Sequence, residues 1–112
     1  MERLRRRADF KAVAGGRRIS RRGFVLQALR AAGDEARPAR VGFTVTRKIG
    51  NAVVRNRIRR RLRAAVAAAG QHLETATDYV LVGRRAALTL QFARLVTDLE
   101  TGFAEISGPD KR

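Results

Sequence analysis

The chain has 112 residues, 45% of them hydrophobic, and a formal net charge of +15. This length fits one domain with a modest core, and the hydrophobic fraction excludes a disordered basic tail. No run approaches the ~18 apolar residues of a membrane span, no apolar signal region follows the N-terminus, and cysteine is absent. We therefore expect a cytoplasmic protein that binds no membrane and whose partner is a nucleic acid.

The N-terminal half of the sequence predicts one short helix and two strands. In chain order the segments are a flexible basic arm over 1–7, a helix over 9–14, a basic run over 17–22, a strand over 24–31, a loop over 33–39 and a half-buried strand over 40–46. The basic run is expected to be either the entry to a hairpin or an extended edge. A glycine pair ends the helix, and strict alternation of apolar and polar residues indicates the last strand. The leucines and alanines of 24–31 also permit a helix, so that assignment stays open.

The C-terminal half predicts one buried strand and two amphipathic helices. The segments are a basic turn over 47–50, a helix over 51–69, a central strand over 79–82, a helix over 89–105 and a tail over 107–112. Asn51 is a favourable helix N-cap, and Gly70 ends the same helix. The apolar positions of the last helix are Phe92, Leu95, Val96, Leu99 and Phe103. The order α-β-β-α-β-α predicts one α+β domain over 1–112, with a single sheet covered by helices.

The predicted helix 51–69 has the most distinctive pattern in the chain. Six of the nine residues from Arg55 to Arg63 are arginine, although adjacent like charges weaken a helix. One arc carries the apolar residues Val54, Ile58, Leu62, Ala65, Val66 and Ala69, and arginines with Asn56 occupy the rest. No acidic residue occurs between Glu35 and Glu74, whereas a merely solvated face mixes both signs. Because guanidinium groups pair well with phosphate, this face predicts nucleic-acid binding.

The sequence contains no convincing catalytic arrangement. His72 is the only histidine, and the ten carboxylates are scattered without metal-ligand spacing. Gly50 and Asn51 predict a turn and a cap, although the free amides of the following helix could also hold a phosphate. Most aromatic residues are expected in the core, with Phe10 and Phe24 as candidates for an RNA-facing position. We therefore predict that another molecule supplies the groups for any catalysis.

The central motif of the chain resembles the protein component of bacterial ribonuclease P. The motif is Arg-Lys-Ile-Gly-Asn-Ala-Val over 47–53 followed by Arg-Asn-Arg-Ile-Arg-Arg over 55–60. The patterns around Phe10, over 24–26 and over 78–82 also fit that family, so the resemblance covers about 3–105. It implies an α-β-β-β-α-β-α domain similar to domain 2 of ribosomal protein S5, with a left-handed crossover.

The same resemblance implies a function. The family joins a large catalytic RNA, and the holoenzyme removes the 5′ leader of precursor tRNA with Mg²⁺ held by that RNA. It therefore implies no cofactor bound by the protein alone and no obligate protein partner. The residues implied to contact the catalytic RNA are Arg47, Lys48, Asn51, Arg55, Asn56, Arg57, Arg59, Arg60 and Arg63. Those implied to line a leader cleft between the first helix and the sheet are Phe10, Lys11, Arg17, Phe24, Thr44 and Thr46.

One departure from the family bears on leader binding. Many members carry aromatic residues at the positions of Ala14 and Gln27, so arginine planes are expected to take a larger share of base stacking here. Two other classes of function remain compatible with the basic pattern: a structural RNA-binding protein of the ribosomal type, and a nucleoid-like DNA binder. The nucleic acid that copurifies with the protein distinguishes the three.

Overall fold

A five-stranded sheet with helices on both faces forms the centre of the computed structural model, which describes residues 2–30 and 37–108. The elements are β1 (Glu2–Arg3), α1 (Arg7–Ala14), β2 (Arg17–Ser20), β3 (Phe24–Arg30), β4 (Arg40–Thr44), α2 (Ala52–Ala69), β5 (Thr77–Gly83) and α3 (Phe92–Ile106). Short 3-10 turns occupy Arg47–Ile49, Gly70–His72 and Arg85–Leu88. Residues 33–36 of the expected loop and residues 109–112 of the expected tail lie outside the described residues.

The strand order in the sheet is β1-β4-β5-β3-β2. β4 is parallel to both β1 and β5, whereas β3 is antiparallel to β5 and β2. β5 is central, as its apolar residues on both faces predict, and α2 connects the adjacent parallel strands β4 and β5. The α+β class is confirmed, and the three strands between α1 and α2 match the order that the family resemblance implies, whereas the two-residue strand β1 before α1 is not part of that order. The left-handed sense of the crossover stays a prediction.

The main core lies between the sheet and the helix pair α2 and α3. Alternate residues of β3 (Phe24, Leu26 and Ala28) point to this side, as period-2 geometry requires. The predicted apolar arc of α2 is confirmed, since Ile58, Leu62, Ala65, Val66 and Ala69 are buried and Val54 packs against them. From α3, Phe103 meets Tyr79 edge to face, with ring centroids 5.2 Å apart.

A smaller cluster joins α1 to the opposite face of the sheet. Leu4, Val13 and Val80 are buried there, and Phe10 packs against them. Gly42 makes this approach possible, because a Cβ atom at that position would lie 2.5 Å from the Phe10 ring. The absence of a side chain at Gly42 therefore lets α1 lie close to β4.

Two expectations about single segments are corrected by the structure. Residues 2–4 of the expected flexible arm are paired with β4: the Glu2 and Leu4 amides donate to the carbonyls of Ala39 and Val41, at 2.9 and 3.0 Å. Burial of Leu4 holds this segment against the sheet. Phe92, expected in the core, is the first residue of α3 and remains 42% exposed, because the core ends one turn further along the helix at Leu95.

Candidate nucleic-acid interface

The exposed arc of α2 carries most of the predicted RNA-contacting residues. Asn51 caps the helix, since its Oδ1 accepts a hydrogen bond from the Val54 amide at 3.0 Å. A hollow of about 570 Å³ lies along the helix and is lined by Arg3, Val53, Asn56, Arg59, Arg60 and Arg63. Four of its six lining residues are arginines and none is acidic, so its chemistry suits a phosphate chain.

The arginines of α2 differ in how they are engaged. Arg61 donates from its two terminal nitrogens to the carbonyls of Ala87 and Leu90, so it fastens α2 to the segment that precedes α3. The Arg63 guanidinium lies 5.6 Å from the centre of the Phe43 ring, a cation–π geometry. In contrast, Arg57 and Arg60 form no hydrogen bond or ion pair within residues 2–30 and 37–108.

The basic turn before α2 exposes two further predicted residues. Arg47 and Lys48 are both exposed on the 3-10 turn. Arg85, which lies just after the C-terminal end of β5, donates to the Ile49 carbonyl at 2.6 Å and thereby holds the turn in place. The sequence did not indicate this role, because the contact joins residues 36 positions apart. The turn therefore presents its cations from a fixed position next to the helix.

A second candidate surface is the groove between α1 and the sheet. Its volume is about 680 Å³, and its lining residues are Arg5, Arg7, Phe10, Lys11, Ala14, Gln27, Phe43, Thr44, Thr46, Val80 and Val82. Four of the six predicted leader-cleft residues (Phe10, Lys11, Thr44 and Thr46) are brought together here. The groove is lined by both apolar and cationic side chains, which is the composition that single-stranded RNA sites use.

The other two predicted cleft residues are not in the groove, so those two predictions are wrong. Phe24 is fully buried in the main core, on the α2–α3 side of the sheet. Arg17 pairs in register with Ala28, which also faces that side, and it donates to the Gly108 carbonyl at 2.6 Å. Arg18, opposite Gln27, takes the groove side instead. The sequence contains a signal for these orientations, because side chains alternate between the two faces of a strand. If the apolar Ile19 faces the core, Arg17 lies on the same face as Ile19 and Arg18 lies on the opposite face.

A buried carboxylate holds α1 and the strands around this groove together. Arg40 donates to Asp78 through two nitrogens, at 2.9 and 2.7 Å, and Arg37 donates to the same carboxylate at 3.0 Å. Arg40 also lies 3.6 Å from Asp9 of α1. Burial alone would raise the pKa of Asp78, but hydrogen bonds from Arg40 and Arg37 outweigh it and hold that pKa below its ordinary value.

Within residues 2–30 and 37–108 no group of three His, Cys, Asp or Glu side chains could hold a metal ion. His72 is half-exposed, with its Nε2 atom 3.6 Å from the Glu100 carboxylate. None of the helices in the described ranges is long and apolar enough to cross a membrane.

Comparison with known proteins identifies relatives over nearly the whole chain. The family model for ribonuclease P matches residues 1–107. The ribonuclease P protein component of Gluconacetobacter diazotrophicus is 52% identical over 99 residues, which cover 87% of this chain and 84% of that protein. The corresponding protein of Paramagnetospirillum magneticum is 43% identical over 115 residues, with 99% and 86% of the two chains covered.

Solved structures show the same fold. The ribonuclease P protein of Staphylococcus aureus aligns with a TM-score of 0.76 at 27% identity, covering 96% of each chain. That of Thermotoga maritima aligns with a TM-score of 0.78 at 26% identity, covering 96% of this chain and 100% of that one. The α+β architecture of this chain is therefore one that is known experimentally.

Proposed function

Because this chain belongs to the ribonuclease P protein family, and so is the protein subunit of a tRNA-processing endoribonuclease, we propose a division of labour between its two surfaces. The arginine face of α2 and the turn before it bind the catalytic RNA of the enzyme. The groove beside α1 binds the 5′ leader of precursor tRNA. The reaction takes place in the cytoplasm.

The observation that carries this proposal is the way the N-terminal segment joins the two surfaces. Arg3 lines the hollow on α2, whereas Arg5 and Arg7 line the groove beside α1. Arg63 and Phe43 make a second junction, since Arg63 lines the hollow and Phe43 lines the groove. A catalytic RNA on α2 and a leader in the groove therefore meet at this edge of the sheet, where the bond to be cut can be presented to the RNA.

The protein's own contribution to the reaction is binding and charge screening. Mg²⁺ held by the RNA would activate the attacking water and stabilise the leaving oxygen. The arginines replace part of the cation atmosphere that two close RNA backbones otherwise need, so the enzyme assembles at lower Mg²⁺.

The leader groove is less aromatic than the family pattern. Phe10 is a half-buried lining residue, while Ala14 and Gln27 occupy positions at which the family resemblance implies further rings. We infer that the groove holds the leader mainly through its backbone, with Arg5, Arg7 and Lys11 facing phosphates.

Reconstitution tests the proposal. The chain is mixed with the ribonuclease P RNA of the same organism and a precursor tRNA at an Mg²⁺ concentration at which the RNA alone is slow. We expect removal of the 5′ leader by the mixture and no cleavage by the RNA-free protein. Mg²⁺-dependent cleavage by the rigorously RNA-free chain would overturn the division of labour. Copurification of ribosomal RNA or DNA, without stimulation of cleavage, would favour the two alternative classes.

A further inference from the structure

Phe92 is an exposed aromatic side chain that the functions described above do not use. It begins α3 and remains 42% exposed, although its helical spacing places it in line with the buried Leu95 and Leu99. Those residues, with Phe103, already connect α3 to the main core. A large apolar ring left at the surface beside a cationic helix indicates an interaction rather than a packing role.

The ring lies in an open hollow whose remaining walls come mainly from arginines. The hollow has a volume of about 320 Å³ and is lined by Arg57, Arg60, Arg61, Ala64 and Phe92. Arg61 is held in place by the carbonyls of Ala87 and Leu90, so α2 and the start of α3 are fixed relative to each other. Arg57 and Arg60 have no partner among the described residues, which leaves two guanidinium groups beside one exposed ring.

We propose that this hollow binds one unpaired base of the catalytic RNA, stacked on Phe92, while Arg57 and Arg60 hold the adjoining phosphates. The inference rests on the proposed function, because it adds a base contact to a surface that is proposed to bind RNA backbone. Aromatic rings flanked by arginines recognise unpaired nucleotides through stacking and charge together. The absence of an acidic side chain from the lining excludes repulsion of the phosphates.

The position of Arg60 connects this base site to the rest of the α2 surface. Arg60 lines both the Phe92 hollow and the larger hollow that contains Arg3 and Val53. An RNA backbone that follows α2 therefore passes Arg60 between the two hollows. A second copy of the chain is a poorer occupant, because symmetric pairing of this patch would oppose Arg57, Arg60 and Arg61 to the same three cations.

Substitution with tryptophan gives a direct reporter, since the natural sequence has no tryptophan. In the full-length chain, Phe92→Trp places a single indole in the hollow, and Leu29→Trp places one at another exposed apolar position, on β3. On titration with the ribonuclease P RNA of the same organism, we expect fluorescence quenching for Phe92→Trp and little change for Leu29→Trp. Equal responses of the two reporters would overturn the proposal.

Affinity provides the second measurement. Phe92→Leu keeps an apolar side chain of helix-forming type but removes the planar ring, so it should weaken RNA binding about five- to a hundredfold. Phe92→Trp should retain the affinity that Phe92→Leu loses. Circular dichroism and thermal melting of the RNA-free variants establish that both fold. If Phe92→Leu does not fold, the comparison of quenching between Phe92→Trp and Leu29→Trp decides whether the base site exists.

The outcomes separate this inference from the function on which it rests. If the natural chain binds the RNA and Arg60→Ala weakens binding, but Phe92→Leu binds like the natural chain, the base site is wrong and the proposed function stands. If the natural chain neither binds the RNA nor stimulates cleavage, the proposed function fails first. A change in sedimentation of RNA-free Phe92→Leu without a change in RNA affinity would instead assign this patch to self-association and overturn the base site.

Discussion

The arginines of this protein occupy two contrasting regions, the Asp78 cluster beside α1 and the exposed face of α2. In the first region, Arg37 and Arg40 are about three-quarters buried, and each lies within 3.0 Å of a carboxylate oxygen. In the second region, Arg57 and Arg60 have no partner among residues 2–30 and 37–108. The number of arginines alone therefore does not identify the proposed RNA-binding surface. That surface is distinguished by arginines, such as Arg57 and Arg60, that have no acidic partner among the described residues.

The strongest test of this contrast lies within α2 itself, between its buried and exposed arcs. Ile58→Asp should unfold the domain, because an unpaired carboxylate buried in the core costs several kcal/mol out of a total stability of about 5–15 kcal/mol. Arg57→Ala, one residue away on the exposed arc, should keep the native fold. Far-ultraviolet circular dichroism and thermal melting measure both. A native Ile58→Asp beside an unfolded Arg57→Ala would show that the helix is oriented the other way.

The next largest effect is expected in the Asp78 cluster. Asp78→Asn keeps the shape of the side chain but leaves two arginines without their negative partner, and it should lower the free energy of unfolding by about 2–3 kcal/mol. The value is below that of a fully buried pair, because the arginines are partly exposed to solvent. Denaturant unfolding measures the change. Asp98→Asn, which removes the i,i+4 partner of the mostly exposed Arg94, is the matched control and should change stability by about 0.5 kcal/mol or less.

The same cluster predicts a pH dependence. The pKa of Asp78 in the folded protein lies below its ordinary value of 3.8. Its ion pairs therefore contribute fully above that ordinary value, and the contribution disappears as the pH falls through the lower, folded-state pKa. The stability difference between the natural chain and Asp78→Asn should be constant from pH 7 down to pH 5 and shrink below about pH 4. A difference that grows on acidification would contradict the assigned direction of the pKa.

The contrast between these regions also explains how far sequence reasoning reached. Periodicity in α2 predicted its buried stripe and its cap at Asn51, because a helix imposes both locally. The alternation around Ile19 indicates which face of the strand carries Arg17. Because β2 is only four residues long and two of them are arginines, the sequence order α-β-β-α-β-α did not count it as a strand. The structural roles of Arg61 and Arg85 depend on carbonyls 26 to 36 positions away, which no local pattern encodes. Exposure of Phe92 likewise depends on where the tertiary core ends.

Anion binding should distinguish the unpartnered arginines from those already paired. A net charge of +15 on a small domain opposes compaction, and anions that bind only the folded state stabilise it by RT ln(1 + [L]/Kd), about 2.7 kcal/mol at hundredfold saturation. We therefore expect sodium sulfate to raise the melting temperature more than sodium chloride at matched ionic strength. Arg57→Ala/Arg60→Ala should reduce this sulfate-specific gain. Equal melting temperatures in the two salts would indicate general charge screening, and would contradict specific anion binding by the unpartnered arginines.

The finest test asks whether a single unpartnered arginine contacts RNA phosphate. Arg60→Ala should weaken binding to the ribonuclease P RNA at low salt while leaving the circular dichroism spectrum unchanged. Each phosphate that the protein neutralises releases condensed counterions from the RNA on binding. A variant that lacks one phosphate contact releases fewer of them, so the slope of log K against log[salt] should become shallower by about 0.7–0.9. Arg18→Ala, which removes an exposed arginine on the β2 edge, is the control and should leave the slope nearly unchanged. Equal flattening by both variants would mean that total charge, rather than the position of Arg60 on α2, governs binding.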